Sequence, residues 1–237
     1  MTEATLPQHV AIIPDGNRRW AAKRGLQSWR GHEEGARRFE ELLDQALELG
    51  IRVVSFWGMS RDNIEKREPF EVRRLLSLLR EKFRTLGHDP RIHKHEVSVR
   101  FLGAWRELFP PSLVSIMEET MTKTNAYGKR ILNMLICYDG REEMMRAIDA
   151  IRALPVNPHP KPITAELVKN HLWTRDLPPV DLVIRTGGDP HLSCGFMMWD
   201  VADAQLYFSE KLFPDFTAGE FRKAIADYGE RTRRFGA

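Results

Sequence analysis

Residues 9–20, with the sequence HVAIIPDGNRRW, contain the strand and the turn from which the fold can be inferred. Residues 10–13 (VAII) are apolar, mostly β-branched and too few for a helix, so they predict a fully buried strand. In an open α/β sheet, ligands bind beyond the carboxyl ends of such strands. This strand ends at Pro14, so the residues that follow Pro14 are candidates for a ligand site.

The turn after Pro14 carries side chains that suit a metal-bound diphosphate. They are Asp15, Gly16, Asn17, Arg18 and Arg19. A carboxylate can hold a divalent cation, a glycine lets the backbone approach a ligand closely, and guanidinium groups pair with phosphate oxygens. The alternative interpretation is an Asp-Gly turn followed by the solvated, basic start of a helix, which needs no ligand.

A second candidate anion site follows a predicted strand at residues 182–184. Arg185 comes directly after this strand, and Gly187 and Gly188 give the neighbouring backbone the freedom to approach an anion. Neither the Walker A spacing nor the glycine spacing of a dinucleotide-binding loop occurs here. The segment therefore indicates an anion site that is not a nucleotide-binding loop of either kind.

The composition is that of an ordinary soluble protein, with 42% hydrophobic and 29% charged residues among 237. We expect one domain over residues 1–237, no integral membrane segment and a cytoplasmic location, because neither a signal peptide nor a long apolar run occurs. Cys137 and Cys194 are too few for a disulfide framework. The net charge of +3 is spread along the chain, which predicts no nucleic-acid partner.

Strand and helix patterns alternate along the rest of the chain. Further strands are predicted at residues 51–57, 97–102 and 130–138, and helices are predicted after residue 35, from residue 72, at 113–124 and at 142–154. The proline-rich residues 155–162 predict a surface loop. This alternation is typical of an α/β fold with a central, mainly parallel sheet of about six strands flanked by helices.

Residues 9–20 resemble the first signature of the cis-prenyltransferases, the family of undecaprenyl diphosphate synthase. A second signature begins at Pro179, where RTGGDPHLS resembles the family's RTGGE-x-R-x-S. Weaker matches are GHEEG at residues 31–35, the polar segment at 60–69, YDGR at 138–141 and RRFG at 233–236. The resemblance extends from residue 9 to residue 236 and implies the family's α/β fold.

The resemblance also implies an activity and its partners. Members of the family transfer an allylic prenyl group, for example from farnesyl diphosphate, to isopentenyl diphosphate and form a new cis double bond. The implied cofactor is Mg²⁺, the implied product is a Z-polyprenyl diphosphate that can dissolve in a membrane, and the implied assembly is a homodimer. In the family, the helix that corresponds to the one predicted from residue 72 lines an apolar tunnel for the growing chain.

Site roles follow from the matched positions. Asp15 is the implied metal ligand, and the implied catalytic residues are Asp15, Asn17 and Asn63. The implied substrate-binding residues of the first signature and the weaker motifs are Gly16, Arg18, Arg19, Trp20, His32 and Arg67. Those of the second signature, which bind isopentenyl diphosphate, are Arg185, His191 and Ser193. The proton acceptor stays open between Asn17, Asn63 and a diphosphate oxygen.

Three positions depart from the family pattern in the groups that hold substrate or metal. Ser28 stands where many members have an arginine, His191 replaces a second arginine, and Gln205 replaces a glutamate that helps to hold the metal. An amide is a poorer ligand than a carboxylate for a hard cation. These departures leave room for a short-chain or irregular prenyl diphosphate synthase, and a non-catalytic partner subunit is a further alternative. Without the resemblance, His32 between two glycines would be a loop or cap residue.

Overall fold

The structure is a computed structural model that describes residues 6–155 and 162–231. Its strands are β1 (His9–Ile13), β2 (Val53–Ser60), β3 (Val97–Leu102), β4 (Arg130–Tyr138), β5 (Leu182–Arg185) and β6 (Gln205–Phe208). Its helices are α1 (Asn17–Ala22), α2 (Ser28–Glu48), α3 (Asp62–Glu65), α4 (Pro69–Leu86), α5 (Pro90–Lys94), α6 (Trp105–Leu108), α7 (Pro111–Thr124), α8 (Gly140–Arg152), α9 (Ala165–His171) and α10 (Ala218–Glu230). Most of the predicted proline-rich loop and the RRFG ending lie outside the described residues.

The strands form one six-stranded sheet in the order β3-β4-β2-β1-β5-β6, and every neighbouring pair is parallel. This confirms the predicted parallel α/β fold. β1 lies between β2 and β5, so the carboxyl ends of these three strands meet at one edge of the sheet. Arg185 pairs in register with Ile13, which brings the second signature beside the first.

The core lies on both faces of the sheet. Val10 and Ile12 of β1 pack in one hydrophobic cluster, and Ala11 and Ile13 pack in the other. This division follows from the two-residue period of a strand, whose successive side chains point to opposite faces. All five residues of β1 are buried, as the unbroken apolar run predicts.

α2 begins earlier than the sequence pattern suggested. The GHEEG segment was expected before the helix, but Gly31, His32 and Gly35 lie inside its first two turns. A Cβ on Gly31 would lie 2.0 Å from the carbonyl oxygen of Asn17, and one on Gly35 would lie 2.4 Å from Asn17 Oδ1. These two glycines therefore allow close packing of α2 against the start of α1 and do not end a helix.

Candidate active site

A polar cleft lies at the carboxyl ends of β1, β2 and β5. Its empty volume is about 1590 Å³, including the part that is open to solvent. The cleft brings together ten of the residues that the sequence singled out: Asp15, Gly16, Asn17, Arg18, Arg19, His32, Asn63, Arg67, Arg185 and Ser193. In open parallel α/β sheets, ligands usually bind just beyond the carboxyl ends of the strands.

Asp15 and Arg185 form the centre of the cleft. Arg185 Nη2 donates to Asp15 Oδ2 over 2.8 Å, and Arg19 Nη2 lies 3.2 Å from Asp15 Oδ1. The Arg185 side chain is 4% exposed, while that of Asp15 is 33% exposed. The carboxylate therefore faces the cleft and its guanidinium partner is held beneath it.

Arg185 also organises the loop that follows β5. Its Nη1 donates to Ser193 Oγ over 2.7 Å and to the carbonyl oxygen of His191 over 2.8 Å. The His191 ring nitrogen Nε2 lies 3.1 Å from Ser193 Oγ. His191 thus lies beside the cleft on an exposed turn, and its ring contacts Ser193, which does line the cleft.

Gly187 allows Arg19 to reach this centre. It has a φ of +93°, and a Cβ at this position would lie 2.5 Å from Arg19 Nη2. A side chain would be strained by the backbone conformation and would collide with the guanidinium. Gly187 is therefore required because the two signatures approach each other closely at this point.

Asn17 lies where the cleft meets a second cavity. Its Nδ2 donates to the carbonyl oxygen of Pro14 over 3.1 Å, and its Oδ1 is buried with no hydrogen-bond partner in the described part of the chain. A buried amide oxygen without a partner is uncommon in folded proteins and calls for an explanation. A ligand group that donates to Asn17 Oδ1 would supply the missing bond.

His32, Arg67 and Glu71 form a second charged cluster on the opposite wall. Arg67 Nη1 donates to Glu71 Oε1 over 3.0 Å and lies 3.2 Å from His32 Nε2. Burial, together with the positive charges of Arg67 and Arg18, lowers the pKa of His32 to about 4. Burial also lowers the pKa of Arg67, and the Glu71 carboxylate opposes that shift. His32 is therefore neutral at neutral pH.

Glu71, the third member of this cluster, was not predicted from the sequence. Glu71 follows Arg67 by four residues, and its Oε1 also lies 3.7 Å from Arg18 Nε. An arginine and a glutamate at this spacing are a recognisable ion-pair signal on a helix. Here, however, α4 begins at Pro69, so Arg67 precedes the helix and only the folded chain shows the contact.

The structure does not bring Trp20 to the cleft. The indole Nε1 of Trp20 donates to Asp215 Oδ1 over 2.8 Å, and the Arg24 guanidinium stacks on the ring at 4.1 Å from its centre. The side chain therefore packs between the end of α1 and the turn at Phe213–Asp215. Its substrate-binding role has no support from the geometry of this chain.

Gln205 and Asp139, where the resembled family motifs have a glutamate and the first glycine of YGGR, also lie in informative places. Gln205 pairs with Leu182, three residues before Arg185, which is about 10 Å from the carboxyl end of β5. Within this chain it therefore does not reach Asp15. Asp139, which replaces a glycine, is the N-cap of α8 and accepts from the backbone N–H groups of Arg141 and Glu142.

Asp15 in the cleft and the half-exposed Asp189 beside it could take part in holding a divalent cation. Asp189 Oδ2 lies 3.6 Å from Arg19 Nη2 and 3.9 Å from Arg185 Nη2, so it approaches the same two guanidinium groups as Asp15. Among the described residues, no three His, Cys, Asp or Glu side chains cluster closely enough to hold a metal on their own. Mg²⁺ is usually bound by one or two carboxylates together with substrate phosphates, so this pair fits that ion.

An apolar tunnel leads away from the cleft. It runs between α2, α4 and the sheet, and its empty volume is about 870 Å³, including space open to solvent. Its apolar wall consists of Ala36, Phe39, Leu43, Phe56, Leu75, Leu78, Leu79, Phe83, Leu86, Met134 and Phe213. Pro14, Asn17, His32 and Gly58 line both cavities, so the cleft and the tunnel adjoin each other.

No helix within residues 6–155 and 162–231 is long and apolar enough to cross a membrane.

An arginine-lined cleft that bears carboxylates and adjoins an apolar tunnel suits a class of enzyme that handles the diphosphate esters of apolar alcohols. A family model described as putative undecaprenyl diphosphate synthase matches residues 13–236. The chain belongs to this family of prenyltransferases, which confirms the resemblance seen in its two signatures.

Individual relatives agree with this assignment. The tritrans,polycis-undecaprenyl-diphosphate synthase (geranylgeranyl-diphosphate specific) of Pyrococcus abyssi is 40% identical over 233 residues, which cover 98% of this chain and 87% of that protein. An isoprenyl transferase of Thermus thermophilus is 38% identical, and the match covers 98% of this chain and 89% of that protein. The crystal structure of lavandulyl diphosphate synthase from Lavandula x intermedia in complex with dimethylallyl diphosphate has a TM-score of 0.90 and 29% identity, over 98% of this chain and 99% of that one.

Proposed function

We propose that the protein is a Mg²⁺-dependent cis-prenyltransferase that condenses isopentenyl diphosphate with an allylic prenyl diphosphate and forms a Z-polyprenyl diphosphate. The observation that carries this proposal is that the charged cleft and the apolar tunnel lie side by side and share Pro14, Asn17, His32 and Gly58. An allylic diphosphate needs both environments at once, because its head is an anion and its tail is a hydrocarbon.

The allylic diphosphate would bind where the cleft meets the tunnel. Asn17 lies at this junction, and Arg18, His32 and Arg67 line the wall beside it. Arg18 and Arg67 would pair with the phosphate oxygens, while neutral His32 would donate or accept one hydrogen bond. The prenyl tail would extend between α2 and α4, where apolar side chains exclude water.

Isopentenyl diphosphate would bind at the end of β5. The guanidinium of Arg185 is held by Asp15, Ser193 and the backbone of His191, so its orientation is preorganised. An acceptor held there would present its double bond to the carbon that loses the diphosphate, which lowers the entropic part of the barrier. Asn17, Asn63 and a diphosphate oxygen all remain candidates for the proton acceptor.

Asp15, with Asp189 beside it, would hold the magnesium ion together with the substrate diphosphate. A bound Mg²⁺ supplies positive charge that stabilises a departing diphosphate. Arg19 and Arg185 contact both carboxylates, so they would shift toward phosphate oxygens when the carboxylates take up the cation. The charge of the site would then be shared among groups that are already in position.

The assembly and location are part of the same proposal. We infer a homodimer, because β6 is an edge strand of the sheet and leaves Leu206 and Phe208 each 38% exposed. An unpaired edge with exposed apolar side chains favours association with a second copy. We further infer that residues 1–237 act as one domain in the cytoplasm and that the product partitions into membranes.

A second candidate is a short-chain or irregular prenyl diphosphate synthase on the same fold. It is favoured by the solved relative named above, lavandulyl diphosphate synthase, and by Ser28, which lines the cleft in place of an arginine. The apolar wall of the tunnel suits a hydrocarbon tail and is compatible with either product length. A non-catalytic partner subunit would have no need for the charged centre around Asp15 and Arg185.

The test incubates the purified protein with Mg²⁺, labelled isopentenyl diphosphate and, separately, dimethylallyl, geranyl, farnesyl and geranylgeranyl diphosphate. We expect products with several added cis units that disappear when the metal is chelated. Products that stop after one or two additions would support the short-chain candidate, and branched products formed without isopentenyl diphosphate would support the irregular one. No turnover with any primer would contradict the proposal and favour the partner subunit.

A further inference from the structure

The loop that carries Ser193 has a strained backbone. Cys194 and Met197 both adopt the left-handed conformation, with φ values of +48° and +43°, although neither is a glycine. Such a conformation is unfavourable for a residue with a side chain and persists only where its surroundings hold it in place. The loop must therefore be held by contacts with neighbouring elements.

Tyr138 makes one of these contacts from beneath the loop. It is the last residue of β4 and is fully buried, and its hydroxyl oxygen accepts from the backbone N–H of Met197 over 3.2 Å. The same hydroxyl donates to Glu143 Oε2, and Glu143 Oε1 accepts from the backbone N–H of Thr174 over 3.1 Å. A continuous chain of hydrogen bonds thus joins the Met197 turn to α8 and to the segment after α9.

The backbone beside Tyr138 contacts the loop directly as well. The N–H of Gly140 donates to the carbonyl oxygen of Cys194 over 2.9 Å, one residue away from Ser193. A Cβ on Gly140 would lie 1.8 Å from the carbonyl oxygen of Gly195, so the two segments approach as closely as a glycine allows. The end of β4 and the start of α8 together form the support on which Ser193 rests.

Tyr138 and Glu143, the two ionisable groups in this series of hydrogen bonds, both have shifted pKa values. Burial raises the pKa of Tyr138 well above its ordinary value, and the nearby Glu143 carboxylate raises it further. Burial also raises the pKa of Glu143. The Tyr138 hydroxyl therefore keeps its proton at neutral pH and remains a donor to Glu143. Tyr138 does not line the cleft, so any effect on substrate must pass through the loop.

We propose that Tyr138 is a positioning residue for the acceptor half of the site: its hydroxyl, held by Glu143, fixes the Met197 turn and thereby keeps Ser193 in contact with Arg185. This inference rests on the proposed function, because it assigns Ser193 to the acceptor. The inference separates the acceptor half of the cleft from the half proposed for the allylic substrate. The residues of the latter half, Asn17, His32 and Arg67, lie on other elements: Asn17 on α1, His32 on α2 and Arg67 just before α4.

The test replaces Tyr138 by phenylalanine, which removes only the hydroxyl. We expect the KM for isopentenyl diphosphate to rise about tenfold, because the Met197 turn loses the hydrogen bond that holds it. The KM for the allylic substrate should stay within about twofold, and the amide hydrogen of Met197 should exchange faster with solvent. Tyr207→Phe, which removes a hydroxyl from β6, is the matched control and should leave both KM values unchanged.

A second variant tests the role of Glu143. Glu143→Gln puts an NH2 donor in place of one carboxylate oxygen, so the acceptor that faces Tyr138 or the one that faces Thr174 is lost. We expect a smaller rise in the KM for isopentenyl diphosphate than in Tyr138→Phe, again with no change for the allylic substrate. This variant also provides the measurement if Tyr138→Phe does not fold.

Two results would overturn the inference. An equal rise in both KM values together with a lower melting temperature would show a general structural role for Tyr138. An unchanged KM for isopentenyl diphosphate with faster exchange at Met197 would show that the turn does not control the acceptor site. Lack of turnover by the unaltered protein would instead contradict the proposed function, and this inference with it.

Discussion

The polar cleft and the apolar tunnel share four residues, yet the chain builds them in opposite ways. The cleft takes its charged side chains from the ends of separate strands and short helices, such as Asp15 after β1, Asn63 on α3 and Arg185 on β5. The tunnel takes its wall from the repeated apolar positions of α2 and α4, such as Leu75, Leu79 and Phe83. The cleft therefore depends on tertiary structure, and the tunnel depends on helix periodicity.

This difference separates two properties of the proposed enzyme. Charged groups in the cleft would determine the rate of transfer, since they act on the diphosphates. Apolar bulk in the tunnel would determine how long a chain can grow, since it acts on the hydrocarbon. Changes in one region should consequently leave the property of the other region nearly intact.

Asp15→Ala is expected to have the largest effect, because it removes the central carboxylate of the cleft. Turnover should fall by at least about a hundredfold, as when other preorganised electrostatic groups are removed from active sites. The fold should persist, since the Asp15 backbone oxygen still accepts from Thr186 Oγ1 over 2.8 Å and from the Phe213 N–H over 3.0 Å. Initial rates and a thermal melt measure the two outcomes.

The control for this change is Asp149→Ala on α8, which removes an exposed carboxylate that pairs only with a nearby arginine in the described structure. It should leave turnover unchanged. Near-normal turnover by Asp15→Ala would show that the metal and the leaving group are held elsewhere.

His32 should make the fold sensitive to acid. Its pKa is lowered to about 4 by burial and by Arg67 and Arg18, while the unfolded chain has a value near 6.5. The unfolded state therefore binds more protons between these values, so stability is present above about pH 6.5 and is lost as the pH falls toward 4. Acidification from pH 7 to pH 5 should cost about 2 kcal/mol through this residue.

Denaturant unfolding of the native protein and of His32→Gln at both pH values measures this contribution. The loss on acidification should be about 2 kcal/mol smaller in the variant. His191→Gln, which replaces an exposed histidine, should retain the full loss. An equal loss in the native protein and in His32→Gln would mean that the pKa of His32 is the same in the folded and the unfolded protein.

Leu79→Trp tests the tunnel. The larger ring would fill space between α4 and the sheet, so we expect shorter products while the rate of the first condensation stays within about threefold of the native rate. Arg73→Trp places the same ring on the exposed face of the same helix and should not shorten the products. Unchanged product length in Leu79→Trp would mean that the chain grows along another path.

Trp20→Phe should have the smallest effect. The ring packs beside Arg24 and Asp215 and lies away from the cleft, so KM values for both substrates should change by less than about twofold. The melting temperature should fall slightly, because the hydrogen bond to Asp215 is lost. A large rise in the KM for the allylic substrate would show that Trp20 reaches the substrate in another conformation of the protein, in which α1 has a different position.

Much of the fold was predictable from local patterns. β3 and β4 have the predicted bounds, and the apolar run of β1 indicated a buried strand. The short helices α5 and α6 were missed because four or five residues show no clear period. The edge strand β6 was not assigned because it has only four residues and just one neighbour.

The sequence indicated which residues belong to the site better than it indicated how they are arranged. The signatures indicated Asp15, Asn17 and Arg185, but the pairing of Asp15 with Arg185 joins residues 170 positions apart and follows only from strand order. The hydrogen-bond chain of Tyr138 and Glu143 was not foreseen for the same reason, since it connects β4, α8 and two loops. Neither the position of Trp20 nor that of Gln205 can be inferred from a motif.

The central claim is that one ligand occupies the cleft with its diphosphate and the tunnel with its tail. A crystal structure of the protein with Mg²⁺ and an unreactive thio-analogue of farnesyl diphosphate tests it most directly. We expect phosphate oxygens between Asn17, His32 and Arg67, and a hydrocarbon chain against Leu75, Leu79 and Phe83. A diphosphate bound outside the cleft, or a tail that leaves the tunnel empty, would contradict it.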